Sequence, residues 1–325
     1  MHRLQGISAL AVLLAGCSVL SGCSGKDVPP MVDRMASEIP RFAGSGPFVV
    51  TDGAGLQLAL QGPAKRIVSL SPGGTELLYA AGAGGRIVAT VQYADFPEAA
   101  RSLPRVGDAN ALDYERLVAL QPDVIVVWEN LTNRIAVESL HKLQLPVYFI
   151  RARTLSDIPA TVRALGTLAG TSEPAETAAV ELDRKVAALV RRPVPAQPLR
   201  VFYMIWAEPL YTVGSRHIIT DAIELCGGRN IFDDIDFPAP IVEIEAIVKR
   251  DPELMILSVP PITARDWRER WAQFTSIRAV ATNQMPRFED PALDRMGPTA
   301  IDAVESLCKV IDGARAAHSL ATASP

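Results

Sequence analysis

The sequence is poor in aromatic residues, in cysteine and in basic charge. Aromatic residues make up 6% of the 325 residues, only four cysteines occur, and 32 Lys and Arg residues face 36 Asp and Glu residues. A formal net charge of −4 provides no broad basic field, which excludes nucleic acid as a partner. Beyond the first two dozen residues no run of 18 apolar residues occurs, so the sequence predicts no membrane-spanning helix there.

The sequence also lacks the short motifs that mark common enzymes and cofactor sites. It contains no Walker lysine motif and no Gly-x-Ser-x-Gly elbow. The glycines of 82–85 do not form a dinucleotide fingerprint, because Ile87 stands where the third glycine is needed. His141, His217 and His318 show no i,i+4 spacing of the kind that binds zinc. We therefore predict a protein that is not an enzyme and that holds no cofactor and no metal ion.

The N-terminus has the pattern of a bacterial export signal over residues 1–22. Arg3 supplies one positive charge, and the apolar run that follows is too short to span a bilayer. Two small-residue sites then resemble lipoboxes, in which Cys17 or Cys23 would be lipidated; ordinary signal cleavage is the alternative. We favour Cys23, because lipidation at Cys17 would leave an odd thiol in an oxidising compartment. The stretch 23–46, with its Pro, Gly and Ser residues, predicts a flexible tether.

Only two cysteines, Cys226 and Cys308, remain beyond this leader. An even pair in a disulfide-permissive compartment predicts a disulfide. Two buried free thiols are the alternative, because cysteine is also a common small core residue. The leader and the cysteine pair together predict a protein of the periplasm or cell envelope, held at the membrane by its lipid anchor only.

The rest of the chain alternates continuous apolar runs with longer amphipathic ones. This rhythm is typical of parallel strands that are covered on both faces by helices. We predict an α/β fold with an N-terminal lobe over 47–156, a connecting helix region over 157–198 and a C-terminal lobe over 199–315. The glycine-free stretch 173–192 predicts one long helix of about five turns that joins the lobes. A β-hairpin is predicted over 48–60.

One sequence pattern occurs in both predicted lobes. Glu115 and Glu245 each open a short helix, a proline follows seven residues later, and an apolar strand comes next. Arg66 and Arg200 likewise each open a strand. The two pairs lie 130 and 134 residues apart, so we predict two similar Rossmann-like lobes. A ligand cleft is expected where the carboxyl ends of their sheets face each other.

Four segments, spread over 48–312, carry recognisable signatures: Arg66–Pro72 with Thr75–Leu78, Glu115–Trp128, Pro209–Gly214 and Leu225–Phe232. They resemble the periplasmic binding proteins that serve importers of vitamin B12, haem and ferric siderophores, and most of all the cobalamin-binding branch. The resemblance implies a rigid, monomeric, two-lobed protein that captures cobalamin or a related corrinoid and delivers it to an ABC permease homodimer. Ferric-siderophore or haem binding is the alternative within this class, and an envelope enzyme is the alternative outside it.

The resemblance also implies the ligand site. In the cobalamin binders the cleft is lined by residues that fall here at Tyr93, Trp128, Tyr211 and Arg295. Aromatic faces suit a corrin ring, since each contributes a large apolar contact at little cost in rotamer entropy, and an arginine can donate to amide oxygens at the rim. Core packing is the alternative role for the three aromatic residues.

In the resembling family, glutamates at the positions of Glu115 and Glu245 are the docking charges for arginines on the permease. A homodimer presents the same basic pocket twice, and a two-lobed monomer would present one carboxylate from each lobe. The alternative is that each glutamate only stabilises the start of its helix through the helix dipole.

Some positions depart from the family pattern. Ala109 and Ala239 fall where a known cobalamin binder has tryptophans, which implies a wider pocket or a different ligand. Haem binders often place a ligating tyrosine where Phe96 stands, and phenylalanine cannot ligate iron. A ferric-siderophore carrier needs several arginines that converge on the cleft, for which Arg153 and Arg216 are the further candidates.

Overall fold

The computed structural model describes residues 48–108, 111–129, 134–258 and 267–323. The predicted signal peptide, the tether, both candidate lipidation sites Cys17 and Cys23, and Ala109 lie outside the described residues. The described chain contains a β-hairpin and two four-stranded sheets, with helices between the strands. This is the α/β fold that the sequence predicts, while the boundaries of the lobes stay predictions.

A β-hairpin opens the described chain. Strand β1 (Phe48–Thr51) pairs antiparallel with β2 (Gln57–Leu60). The Asp52 carboxylate closes the turn, because its Oδ1 accepts the N–H groups of Ala54 at 2.9 Å and Leu56 at 2.8 Å. The predicted hairpin is confirmed.

The first sheet is parallel throughout. Its strands and helices are β3 (Ile67–Ser69), α1 (Pro72–Ala80), β4 (Ile87–Thr90), α2 (Tyr114–Ala119), β5 (Val124–Trp128), α3 (Arg134–Lys142) and β6 (Val147–Ile150). The strand order is β4-β3-β5-β6. Every residue of the two central strands, β3 and β5, is buried, as expected for a parallel sheet that is covered on both faces.

Two helices connect the first sheet to the second. Helix α4 (Asp157–Ala169) ends at Gly170, whose φ of 66° gives a left-handed turn that glycine adopts without steric cost. Helix α5 (Ser172–Val190) has 19 residues and is the long helix that the sequence predicts. The buried residues of α5 recur at helical spacing: Ala175, Ala179, Leu182 and Val186.

The second sheet differs from the first in one strand. Its elements are β7 (Leu199–Trp206), β8 (Tyr211–Thr212), α6 (Ile218–Leu225), β9 (Gly228–Asn230), α7 (Ile244–Arg250), β10 (Leu254–Leu257), α8 (Arg278–Ala281), α9 (Pro291–Arg295) and α10 (Thr299–Ala323). Strand β7 pairs in parallel with β9 and β10 but antiparallel with β8. Beyond the N-terminal hairpin, the sequence predicts parallel strands only. The segment between β7 and β8, residues 207–210, is too short for a crossover and forms a hairpin connection instead.

The internal repeat is visible in the backbone. Gln121 and Asp251 both have left-handed φ values, 44° and 43°, and each directly precedes a proline. Arg66 Nε donates to the carbonyl oxygen of Gln121 at 3.2 Å, and Arg200 Nε donates to that of Asp251 at 3.3 Å. An equivalent arginine therefore caps the C-terminal end of α2 in one lobe and of α7 in the other.

A disulfide joins Cys226 to Cys308. Cys226 directly follows α6, Cys308 lies within α10, and both are buried in the larger hydrophobic core. The structure thus contains the cross-link that the even cysteine pair predicts, and not the alternative of two free thiols.

Candidate functional site

A cleft of about 1280 Å³ is lined by residues of both lobes. Its walls come largely from 70–73 after β3, 91–96 after β4, 206–211 after β7, and 291–296 around α9. The loops that follow parallel strands converge at this edge of a sheet, which is where open α/β sheets bind ligands. The volume exceeds the roughly 300–1,000 Å³ of ordinary small-molecule pockets, so the cleft suits a bulky ligand.

All four residues that the resemblance assigns to the ligand line this cleft: Tyr93, Trp128, Tyr211 and Arg295. Their environments differ. The Tyr93 side chain projects into solvent, Tyr211 and Arg295 are half-buried, and Trp128 is buried. A shared ligand requires such a common location, and contact with that ligand stays a prediction for each of them.

Tyr93 is 80% exposed although it follows a buried strand. Its φ of 65° places the backbone in the left-handed region, which is costly for a bulky residue. Arg105 holds the turn in this shape, since its Nη1 donates to the carbonyl oxygens of Val91 at 3.0 Å and Ala94 at 3.1 Å. The ring is therefore presented to the cleft by a constrained turn.

Trp128 combines the two roles that the sequence leaves open. It is the last residue of β5, is only 4% exposed, and belongs to the larger hydrophobic core. It also lines the cleft and packs close to Gly73, where an added Cβ would lie 3.4 Å from Trp128 Cζ3. The residue is thus a core residue that reaches the cleft wall.

Two aromatic residues that the sequence analysis does not assign to the ligand also line the cleft. Trp206 ends β7, is 54% exposed, and donates its Nε1–H to the carbonyl oxygen of Glu208 at 3.0 Å. Phe96, which the sequence analysis considers only as a residue that cannot ligate iron, is partly exposed. The Arg295 guanidinium carbon lies 5.0 Å from the centroid of the Phe96 ring. An aromatic residue at the end of a largely buried strand is the sequence signal that could have identified Trp206.

Arg295 is held by a carboxylate from the other lobe. Its Nε donates to Glu76 Oε2 at 3.2 Å, and its Nη2 donates to Thr299 Oγ1 at 3.1 Å. Glu76 lies in α1 and is buried, so the pair links the first lobe to the second. The Nη1 group of Arg295 donates to no described residue and is available to a ligand.

The described residues that line the cleft include four carboxylates and two guanidinium groups: Asp95, Asp108, Glu208, Asp294, Arg101 and Arg295. Ferric siderophores present anionic chelate oxygens, which are bound well where arginines converge. Two of the carboxylates, Asp95 and Glu208, are themselves paired with Arg105 and Arg270. The described lining therefore has no convergence of arginines that would attract an anionic ligand strongly.

Arg153 and Arg216, the further candidates for a siderophore site, line a separate cavity of about 20 Å³. This cavity shares Trp128 and Met296 with the cleft but is far smaller. Arg216 is also paired with Asp236. The two arginines therefore add no positive charge to the described lining of the cleft.

Asp294 is an ionisable group in the cleft wall with a shifted pKa. Burial raises the pKa of its carboxyl group to about 6, and hydrogen bonds from Ser258 and from the Tyr203 hydroxyl, at 3.0 Å, only partly oppose this shift. The folded protein therefore binds this proton more tightly than the unfolded chain does. Ionisation of Asp294 therefore lowers the free energy of unfolding as the pH rises from about 3.8 through about 6.

We expect Asp294→Asn to raise the free energy of unfolding by about 2–3 kcal/mol at pH 7.5, because the neutral amide avoids the buried charge. The difference from the wild type should shrink towards pH 4, where Asp294 is protonated in the folded protein. Urea unfolding across this pH range measures both. Glu208→Gln, which removes an exposed carboxylate, should leave the profile unchanged. Parallel profiles for Asp294→Asn and the wild type would contradict the assignment.

The predicted docking residues occupy matching exposed positions. Glu115 lies in the first turn of α2, and Glu245 lies in the first turn of α7. Both side chains are exposed, and neither forms an ion pair with a described residue. Ala239 is half-buried and is not among the described residues that line the cleft.

Among the residues that the structure describes, no group of three His, Cys, Asp or Glu side chains is placed to hold a metal ion. In the same part of the chain, no helix combines the length and the apolar character needed to cross a bilayer.

Two vitamin B12-binding proteins are similar to this chain along most of its length. That of Vibrio cholerae is 32% identical over 252 residues, which is 77% of this chain and 90% of that protein. That of Pectobacterium atrosepticum is 29% identical over 262 residues, which is 79% of this chain and 92% of that protein.

Solved structures share the fold. The crystal structure of the periplasmic vitamin B12-binding protein BtuF of Vibrio cholerae matches with a TM-score of 0.67 and 31% identity, over 78% of this chain and 98% of that chain. The periplasmic haem-binding protein RhuT from Roseiflexus sp. RS-1 has a TM-score of 0.64 over 77% of this chain and 99% of that chain, and at 20% identity it shows a common fold alone. The sequence profile of the family described as periplasmic binding protein matches residues 67–284, and the chain belongs to this family.

Proposed function

We propose that this protein captures cobalamin or a related corrinoid in the cell envelope and delivers it to an ABC permease. The observation that carries the proposal is the large cleft with an aromatic lining and no excess of positive charge. A corrin ring offers broad apolar faces to aromatic side chains, and its amide substituents carry no charge. The similarity to vitamin B12-binding proteins over more than three quarters of the chain supports the same ligand.

Haem is the second candidate ligand, and one observation favours it. The phenol of Tyr93 is exposed in the cleft, where it could ligate iron. Of the two arginines in the described lining, Arg295 is already paired with Glu76, so the cleft offers little counter-charge to the two anionic propionates of haem. The size and the lack of net charge of cobalamin both match the cleft, so we propose cobalamin rather than haem as the ligand.

Delivery involves the N-terminus and the two exposed glutamates. Export, lipidation at Cys23 and a tether over 23–46 would hold the monomer at a membrane while its cleft remains free. Glu115 and Glu245 would then dock on a permease homodimer, one from each lobe. A binding protein of this kind transfers its ligand unchanged and performs no catalysis.

Retention of ligand tests the proposal directly. The purified protein is incubated separately with cyanocobalamin, haem and a ferric hydroxamate, and then passed through a desalting column. We expect cyanocobalamin absorbance to elute with the protein, and the released ligand to have an unchanged mass. Retention of only the hydroxamate or only haem would replace the proposed ligand, and an altered ligand mass would indicate an enzyme.

We expect substitutions of the aromatic residues in the cleft to have two kinds of effect, one on ligand affinity alone and one on both affinity and stability. Tyr93→Ala and Tyr211→Ala are each expected to weaken cyanocobalamin binding by about 1–3 kcal/mol with little change in melting temperature, because neither side chain is buried. Trp128→Ala should lower both the affinity for cyanocobalamin and the melting temperature, since the Trp128 ring also fills the core. Calorimetric titration and thermal unfolding measure the two quantities.

Phe237→Ala is the matched control, because Phe237 is an exposed aromatic residue that does not line the cleft. It should change neither affinity nor melting temperature. Unchanged affinity in both tyrosine variants would remove these residues from the ligand site.

A further inference from the structure

Glu76 is a buried carboxylate behind the cleft-lining Arg295, and it has no assigned role. Its side chain is only 3% exposed, which is unusual for a glutamate. It lies in α1, a largely apolar helix that follows β3. Thr299 N–H donates to Oε1 at 2.6 Å, and Arg295 Nε donates to Oε2 at 3.2 Å. Gly297 packs directly against the carboxyl group, since an added Cβ would lie 2.5 Å from Glu76 Cδ. A buried acid with such close partners is fixed in position.

This arrangement determines what Arg295 presents to a ligand. The arginine side chain is 20% exposed, and its charge is compensated by Glu76 within hydrogen-bonding distance. Its Nη1 group still has N–H donors without a described partner. A compensated guanidinium can donate to a neutral carbonyl oxygen, but it offers little net attraction to an anion.

We propose that Glu76 is a specificity-determining residue: by orienting and neutralising Arg295 from its buried position in the first lobe, it makes the site select uncharged, amide-bearing ligands over anionic ones. This inference rests on the proposed function and specifies how the same cleft excludes anionic ligands. Specificity of this type depends on a penalty against the wrong ligand as much as on contacts to the right one. An anion that approached Arg295 would meet the Glu76 carboxylate as a competitor.

Removal of the Glu76 charge should therefore change selectivity. In Glu76→Gln the amide oxygen can still accept the hydrogen bond from the Thr299 N–H. This substitution therefore removes the charge with the least disturbance of the local fold. Arg295 would then lack its counter-charge in a partly buried position, and an anionic ligand could supply it. The probes are cyanocobalamin, which is neutral overall, and haem, which carries two propionates.

We expect Glu76→Gln to raise the ratio of haem affinity to cyanocobalamin affinity about tenfold, with a haem affinity that falls as salt is added. The double variant Glu76→Gln with Arg295→Gln should return the ratio towards that of the wild type. Glu208→Gln is the matched control, because it removes one negative charge from the cleft rim without exposing Arg295.

The outcomes separate this inference from the proposed function. A wild type that does not retain cyanocobalamin contradicts the proposed function, and the change in haem affinity between wild type and Glu76→Gln still tests the inference. If Glu76 has a purely structural role, Glu76→Gln should lose affinity for haem and for cyanocobalamin equally. That result would overturn the inference. An equal shift in Glu208→Gln would also overturn it, because the general field of the cleft would then be the cause.

Discussion

Replacement of both disulfide cysteines, Cys226→Ala with Cys308→Ala, is expected to lower the free energy of unfolding by about 4 kcal/mol. The cross-link spans 82 residues of sequence and restricts the unfolded chain, so its removal raises the entropy of the unfolded state. It also connects the end of α6 to the middle of α10 within the second lobe. Urea unfolding measures the change, and the slope with urea should rise because the unfolded chain becomes less compact.

Reduced wild-type protein is the control, because it retains both sulfur atoms and loses only the bond. It should show most of the same loss, whereas reductant should not affect the double variant. Mass spectrometry of unreduced protein after alkylation under denaturing conditions checks the bond itself. Two alkylated thiols at Cys226 and Cys308, or equal stability of oxidised and reduced protein, would contradict the prediction.

The alternation of apolar and amphipathic runs was sufficient to predict the parallel sheet of the first lobe. Its strand β5 is a continuous apolar run, and Pro122 separates that run from the preceding helix. The direction of β8 could not be predicted in this way, because two residues carry no periodicity and the direction depends on the short connection before them. Local pattern thus identifies elements, and the length of the connection decides how they pair.

The candidate site shows a different limit. The resemblance placed Tyr93, Tyr211 and Arg295 in the cleft, where the structure also finds them. The partner of Arg295 had no local signal, because Glu76 lies 219 residues away and a single acid in an apolar helix usually faces solvent. The exposure of Tyr93 likewise depends on hydrogen bonds from Arg105, a contact that spacing alone does not reveal.

The proposed docking surface rests on the equivalence of the two lobes. Glu115 and Glu245 open α2 and α7, and the ends of these helices share a left-handed residue and a capping arginine at matching positions. Two equivalent exposed carboxylates match a partner that presents the same basic pocket twice. Stabilisation of each helix start, which is worth about 0.3–1 kcal/mol per charge, is the competing explanation.

Charge reversal at both positions, Glu115→Arg with Glu245→Arg, is expected to abolish ligand-dependent stimulation of the permease ATPase and uptake in cells. The new positive charges would face the basic pockets of the permease, and like charges in contact are strongly unfavourable. Cyanocobalamin affinity should stay within about twofold of the wild type, since neither glutamate is among the described residues that line the cleft. Each single reversal should retain part of the stimulation, because one lobe could still dock.

The matched control is Glu173→Arg with Glu269→Arg, which makes the same total charge change at two exposed positions. Glu173 also lies in the first turn of its helix, so the control includes the cost of a reversed charge against the helix dipole. Normal uptake is expected for this control. If the Glu115 and Glu245 double variant also supports normal uptake, the two glutamates are helix-start charges only. Loss of uptake in both double variants would instead assign the effect to net charge and contradict a specific docking surface.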